Sequence, residues 1–350
     1  MPQNNQQRRV AVVLFNLGGP DSLDAIKPFL FNLFRDPQIL GLPAPFRTLL
    51  AWTIATRRAP KAAEIYKHLG GRSPLLENTQ AQAQALETAL NALGKSTLYK
   101  TFIAMRYWRP DTTHAAQEVK AFSPDEIVLL PLYPQWSITT TYSSFLEWKK
   151  QAKLNALTQP TRAICCYPTN PGFISAYTAL LHADYQRALT FGKPRILFSA
   201  HGLPKKVIAR GDPYQTQCET TAQHIVERLC LTEGVSPRDV DWLNCYQSRV
   251  GPMEWIGPST IDEIARAGRD RVPLVLVPLS FVSEHSETRV ELDIEYRALA
   301  ETAHVPGYFR TSTVGVEPAF IEGLCNLVTK SCDRTCSNDW KMCWNRIKKQ

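Results

Sequence analysis

Pro194-Arg195-Ile196-Leu197-Phe198-Ser199-Ala200-His201-Gly202-Leu203-Pro204 passes from an apolar run into a turn within a few residues. Ile196 to Phe198 reads as a buried strand, and Gly202 and Pro204 break it. His201 is thereby placed just past the carboxyl end of a strand. In open parallel α/β sheets that edge is where ligands bind. Taken alone, a histidine there is more often a local turn residue than a ligand, so the rest of the chain has to decide its role.

Upstream, Val10 to Leu17 is a second buried-strand run, followed by the Gly18-Gly19-Pro20 turn and a helix capped by Asp21 or Ser22 that runs to about Arg35. Strand, glycine turn and helix open an α/β fold. No G-x-G-x-x-G follows, so this is no dinucleotide fingerprint. Further helix and strand patterns run from Leu76 to about Leu93, Leu98 to Met105 and Ile127 to Leu132. The Leu98 strand ends in Arg106-Tyr107-Trp108-Arg109, two cations interleaved with two aromatics. Such a set can hold a flat, carboxylated ligand or simply pack. The Ile127 strand ends in the aromatic and hydroxyl-rich stretch from Tyr133 to Ser144, which suits a ligand wall. Between these lies Ile39 to Trp52, apolar, interrupted by two prolines and trailed by Arg57, Arg58 and Lys61. It reads either as an apolar lip beside basic residues, suited to a membrane surface or a large apolar ligand, or as an ordinary buried loop and helix.

Downstream, Asp212 and Pro213 start a helix to about Leu229. Val240 to Tyr246 is a strand, a helix begins near Thr260, and Val272 to Leu279 is the next strand. Val128-Leu129-Leu130-Pro131-Leu132 is echoed by Val275-Leu276-Val277-Pro278-Leu279, and Gly18-Gly19-Pro20 by Gly202-Leu203-Pro204. The echo predicts two similar α/β units, each a parallel sheet flanked by helices, with a cleft between them and a linker near Thr158 to Pro171. The boundaries read as 9–160, 172–305 and a return segment with tail, 306–350. After the last strand, Glu284, Glu287, Glu291 and Glu295 step by three, four and four. On an α-helix they share one face, either as a solvated acidic stripe relieved by Arg289 and Arg297 or as a carboxylate rail that guides a cation.

Composition narrows the class. With 350 residues, 44% hydrophobic and 21% charged, the chain can bury a full core. The net charge of +8 suits an anionic partner, and no nucleic-acid motif accompanies it. The polar start, Met1 to Arg9, lacks the apolar core of a signal peptide, and no run approaches the roughly 18 residues of a membrane span. A cytoplasmic protein, at most peripheral on the inner face of the membrane, is expected. Nine cysteines, an odd number, argue against a disulfide framework. Cys218, Cys230 and Cys245 fall in helix or strand patterns and read as core residues. Oligomeric state is not encoded in any feature of the sequence.

Leu197 to Pro204 followed by Arg210-Gly211-Asp212-Pro213-Tyr214 resembles the ferrochelatase signature. The resemblance extends through Phe15 to Pro20, Arg106-Tyr107, Tyr133-Pro134-Gln135, Gln247 to Pro252 and Ser283 to Tyr296. It implies two Rossmann-like units of the chelatase type that clamp a porphyrin, protoporphyrin IX by expectation, and insert Fe²⁺ as a substrate with loss of two protons and no ATP. It further implies that His201 and Glu287 are the iron-binding and proton-accepting pair. On the same resemblance, Glu284, Glu291 and Glu295 would form the rail, Leu17, Arg106 and Tyr133 would contact the porphyrin, and the Ile39–Trp52 lip would touch the membrane. The chemistry agrees. A neutral imidazole can both ligate Fe²⁺ and accept a proton near neutral pH, and carboxylates hold iron weakly enough to release it. A chelatase of the same fold for another metal or tetrapyrrole, and a non-catalytic porphyrin or haem binder, are the alternatives.

Cys325, Cys332, Cys336 and Cys343 crowd the basic carboxyl end. Some ferrochelatases carry a [2Fe–2S] cluster on a similar extension, and four thiolates are the right ligand type. The resemblance implies such a cluster here; a zinc site and free thiols are the alternatives. Cluster-bearing animal forms place one ligand where this chain has Ile138, so the fourth ligand would fall to Cys325, Cys165 or Cys166.

Overall fold

The computed structural model describes residues 7–249, 251 and 253–330. The chain forms two compact units. Among the described residues the first holds 7–133, 138–166 and 324–330, and the second holds 134–137 and 167–323. Among the described residues each unit contains one four-stranded parallel sheet.

In the first, β1 (Arg8–Asn16), β2 (Thr97–Met105), β3 (Glu126–Pro131) and β4 (Thr161–Ala163) lie in the order β2-β1-β3-β4. In the second, β5 (Arg195–His201), β6 (Asp241–Gln247), β7 (Leu274–Pro278) and β8 (Tyr308–Arg310) lie in the order β6-β5-β7-β8, the same arrangement. All pairings are parallel. Parallel strands covered by helices on both faces need unbroken apolar runs. Val10 to Phe15 and Leu274 to Val277 meet that need and are fully buried. The second core gathers Leu197, Cys245, Ile264, Leu274, Leu276, Leu292 and Tyr296.

The echo read from the sequence is literal. Phe15 pairs with Pro131 in one sheet and Ser199 with Pro278 in the other. One step further, Leu132 N donates to Phe15 O at 2.8 Å and Leu279 N to Ser199 O at 2.9 Å. Counting two residues on from Phe15 and from Ser199, Leu17 occupies the position of His201. Phe15 pairs with Ala104 and Ser199 with Cys245, which makes Arg106 the counterpart of Gln247. The glycine after each of these positions is required, at Gly18 by its positive φ of 86° and at Gly202 by crowding. A Cβ on Gly18 would sit 3.0 Å from Trp108 N, and one on Gly202 2.9 Å from Gln247 O. The third strand of each unit leads to a π-helical turn, Ile138–Tyr142 and Glu287–Glu295. Such i→i+5 turns recur at functional sites.

Each sheet carries a short edge strand that the sequence pattern does not predict. Thr161–Ala163 falls inside the segment read as linker, and Tyr308–Arg310 inside the segment read as a return. Three residues carry no usable periodicity. From Ala44 onward the Ile39–Trp52 stretch belongs to one long helix, Ala44–Lys67, which continues through Pro60. Its opening residues put Phe46 (67% exposed), Leu49 (66%) and Trp52 (53%) in solvent. The buried-loop alternative is thus excluded for those side chains. Asp212 accepts from Tyr214 N and from the Ser137 hydroxyl, and the helix begins only at Tyr214, with Pro213 rather than Asp212 as its cap. Among the described residues no helix is long and apolar enough to cross a membrane. The described cysteines are buried. Burial pushes the Cys245 thiol up to about 12, as a core residue requires.

Candidate active site

The switch point of an open parallel sheet lies between the strands whose connections leave in opposite directions, here β5 and β7 in the second unit. His201 ends β5, and Glu287 follows the loop after β7. His201 Nε2 lies 3.8 Å from Glu287 Oε1. A second imidazole completes the arrangement: His285 Nε2 lies 3.7 Å from Glu287 Oε2. Each oxygen of one carboxylate therefore faces one imidazole nitrogen.

The opposite nitrogens settle the tautomers. His201 Nδ1 lies 2.8 Å from Gly202 O and His285 Nδ1 3.1 Å from Ser283 O. A carbonyl can only accept, so in each neutral ring Nδ1 carries the hydrogen and Nε2 presents its lone pair. One carboxylate thus stands beside two imidazole nitrogens, at 3.8 and 3.7 Å. Imidazole and carboxylate are residue types that ligate divalent metals and accept protons; among the described residues no three such side chains are gathered into a metal-holding group. The sequence reading did not single out His285. The signal was available, since it neighbours Glu284 in the loop that follows the last long strand.

The four glutamates do not form one α-helical face. Glu284 precedes the helix, and Glu287 to Glu295 wind as a π-helix. Glu291 is held by four donors. Ser248 N (3.0 Å) and the Tyr296 hydroxyl (2.9 Å) reach Oε1, and the Ser248 hydroxyl (2.6 Å) and Gln247 Nε2 (3.1 Å) reach Oε2. Burial, then the neighbouring Glu287 charge, push its carboxyl above the usual range against these bonds. Ser199 fixes the Gln247 amide by donating to its Oε1 at 2.8 Å, which turns the NH₂ towards Glu291. Glu284 is bound instead by Arg310 (2.6 Å) and Thr313 N (3.1 Å). Burial alone would raise the Glu284 carboxyl; Arg310, Thr288 and Thr313 outweigh it, and the group titrates below its ordinary value. Glu295 is exposed. Relief of the acidic stripe comes mainly from Arg310 on β8. Arg289 stays 3.9 Å from Asp293 and Arg297 bonds backbone carbonyls.

In the first unit the counterpart positions carry different chemistry. Arg106 Nε donates to the Ser143 hydroxyl (2.7 Å), directly after the first π-turn, and Nη2 to the buried Asp36 (2.8 Å). The Tyr107 hydroxyl (2.8 Å) and the Ser143 hydroxyl also donate to Asp36. The Arg106-to-Arg109 series is therefore no uniform array: Arg106 is neutralised by Asp36, Tyr107 is buried, and Arg109 is exposed. Leu17 is half-buried at the end of β1. Tyr133 has a partly exposed ring and a buried hydroxyl, and burial pushes its phenol well above the usual value. Cys325 is buried in the helix Pro318–Thr329, and Cys165 and Cys166 are buried with their sulfurs 3.7 Å apart. Cys332, Cys336 and Cys343 lie outside the described residues.

A protein-family model described as Ferrochelatase matches residues 9–332. The chain belongs to the ferrochelatase family. A ferrochelatase of Wolbachia sp. subsp. Drosophila simulans is 51% identical over 317 residues, covering 91% of this chain and 98% of that protein. One from Caulobacter vibrioides is 49% identical over 347 residues, covering 96% and 97%. Among solved structures, Bacillus subtilis SirB with Fe³⁺ matches with a TM-score of 0.51 at 13% identity over 92% of this chain and 94% of that one, a likeness of fold alone. The resemblance read from the motifs therefore holds. Ferrochelatase is an enzyme that inserts iron into porphyrin, and the His201–Glu287–His285 group lies on the sheet edge where an α/β enzyme places its chemistry.

Proposed function

We propose that His201, Glu287 and His285 receive Fe²⁺ and the two pyrrole protons during its insertion into the porphyrin. The observation that carries this reading is the single Glu287 carboxylate set between two imidazoles whose Nδ1 atoms are tied to carbonyls. Insertion moves one dication in and two protons out, so charge balances without ATP. The two Nε2 lone pairs match that stoichiometry, and Glu287 stabilises whichever imidazole becomes protonated. Glu291 and Glu295 extend the acidic character along the π-helix. Leu17, Arg106 and Tyr133 are assigned to porphyrin contact on their family motifs. The deciding assay is anaerobic Fe²⁺ insertion run in parallel on protoporphyrin IX and coproporphyrin III, with Co²⁺ and Ni²⁺ as competitors. Protoporphyrin IX and Fe²⁺ are expected to be preferred, and absence of Fe²⁺ insertion by the wild-type protein would refute the reading.

The exposed Phe46, Leu49 and Trp52, with Arg57, Arg58 and Lys61 further along the same helix, are assigned to peripheral membrane contact. Apolar side chains and cations on one segment favour an anionic interface. Cosedimentation with vesicles containing anionic lipid should fall for Trp52→Ser relative to wild type; equal partitioning removes the assignment.

For the carboxyl end, a [2Fe–2S] cluster on Cys325, Cys332, Cys336 and Cys343 is the proposal, supported by the number and type of thiolates. Purified protein is expected to show cluster absorption in the visible that Cys336→Ser abolishes. Stoichiometric zinc in place of iron and sulfide would replace the cluster with a structural zinc site.

A further inference from the structure

We propose that Arg310 is a positioning residue for the iron site: from the end of β8 it binds Glu284 and Asp293 with one guanidinium and so holds the π-helical turn that presents Glu287 to the two imidazoles. The inference rests on the assignment of His201, Glu287 and His285 given above.

The geometry is that of a staple. Arg310 Nη1 donates to Glu284 Oε1 at 2.6 Å, before the π-helix. Nε and Nη2 take both oxygens of Asp293, inside the π-helix, at 2.7 and 2.6 Å. Glu287 lies between those two attachment points in the chain. A planar guanidinium can make this fork and a lysine ammonium cannot. The Arg310 side chain is only 5% exposed, so these bonds are little screened by water. Side chains alternate across a strand, so Tyr308 shares the face of Arg310. Its hydroxyl donates to Leu292 O at 2.8 Å, a second tie from the same strand to the same turn. The three-residue β8 is anchored in register on β7, with Leu276 opposite Arg310. A rigid strand therefore carries both contacts.

The first unit is an internal control. Leu129 pairs with Ala163 as Leu276 pairs with Arg310, and Ile164 N donates to Leu129 O as Thr311 N donates to Leu276 O, both at 2.9 Å. Ala163 is therefore the counterpart of Arg310. The π-turn of that unit spans five residues, Ile138–Tyr142, and contains no carboxylate. The shared architecture thus stands without an arginine at this position. The arginine accompanies the longer, acidic π-helix that carries Glu287. It also removes Glu284 from the path of the metal, because this carboxylate is the counter-ion of Arg310 and the acceptor of Thr313 N–H.

The test is anaerobic steady-state kinetics with Fe²⁺ and Zn²⁺ on wild type, Arg310→Lys and Glu284→Gln. Groups that orient metal ligands without touching the metal are worth about 10–100-fold in affinity or activity. Arg310→Lys is expected to lower kcat/KM for Fe²⁺ about tenfold and to shift the Fe²⁺-to-Zn²⁺ ratio by at least about threefold. The ratio is the informative readout, since any loss of folded enzyme cancels from it. Glu284→Gln should shift the ratio in the same direction without a selective rise in KM for Fe²⁺. A folded Arg310→Lys enzyme with an unchanged ratio overturns the proposal, whatever its rate. So does a Glu284→Gln enzyme whose KM for Fe²⁺ alone rises, which would make Glu284 a metal-binding residue. Should Arg310→Lys not fold, Tyr308→Phe removes the companion tie alone: a ratio shifted in the same direction supports the staple and an unchanged ratio overturns it. Failure of the wild type to insert either metal is a different outcome and removes the functional assignment itself.

Discussion

His201→Ala is expected to lower kcat/KM for Fe²⁺ insertion by about 10²–10⁴-fold, the range for loss of a positioned proton acceptor. The reason lies in how the ring is held. Its Nδ1–H is spent on Gly202 O, so the only lone pair His201 can offer is Nε2, and Nε2 faces Glu287 at 3.8 Å. Alanine removes a metal ligand and a base together. It leaves β5 intact, because the strand is held by Ile196, Leu197 and Phe198, all fully buried. The loss should therefore appear without a matching loss of thermal stability. His285 can still take one proton, so a residual rate is expected in His201→Ala and a further fall in the double variant with His285→Ala. Steady-state rates with Fe²⁺ under anaerobic conditions, alongside thermal unfolding, measure both. A His201→Ala enzyme with wild-type turnover would transfer the role to His285 and Glu287.

Glu287→Gln is expected to cost about 10²-fold or more in kcat, again within the span for a lost acid–base group. Glutamine keeps the size and shape of the side chain but has no charge and no basic oxygen. Each imidazole then loses the counter-charge that stabilises its protonated form, and the metal loses its anionic ligand. Glu287→Asp is the informative partner. It keeps the charge on a shorter arm that cannot reach both rings, so partial activity is expected. Proton release measured with a pH indicator should remain two per iron inserted in wild type and fall in rate with insertion in Glu287→Gln. If Glu287→Gln turns over normally while Glu291→Gln does not, the central carboxylate is Glu291. Its four donors argue for the opposite, since a carboxylate saturated by Ser248, Gln247 and Tyr296 must break bonds to bind a metal.

Much of this was legible in the residues. The two units could be read from the repeated strand and turn pattern because buried parallel strands demand long apolar runs, and those runs survive as text. His201 could be placed at a strand end because the apolar run Ile196 to Phe198 is broken at once by Gly202 and Pro204. Glu287 could be singled out because it belongs to an acidic series and a family motif. The edge strands Thr161–Ala163 and Tyr308–Arg310 could not, because three residues have neither length nor period. The period of the acidic helix was also misread. Spacings of four suit both α and π turns, and the choice between them is set by packing rather than by residue type.

The sequence by itself determined the fold class, the duplicated units, the strand end that bears His201 and the family, because each is carried by local pattern or contiguous motif. Only the tertiary structure decided which acidic side chains remain beside the imidazoles and which are spoken for. Arg310 takes Glu284, and Ser248, Gln247 and Tyr296 take Glu291. Those partners are between 5 and 44 positions away in the chain. A hydrogen bond depends on distance in space, and no spacing along the chain records it.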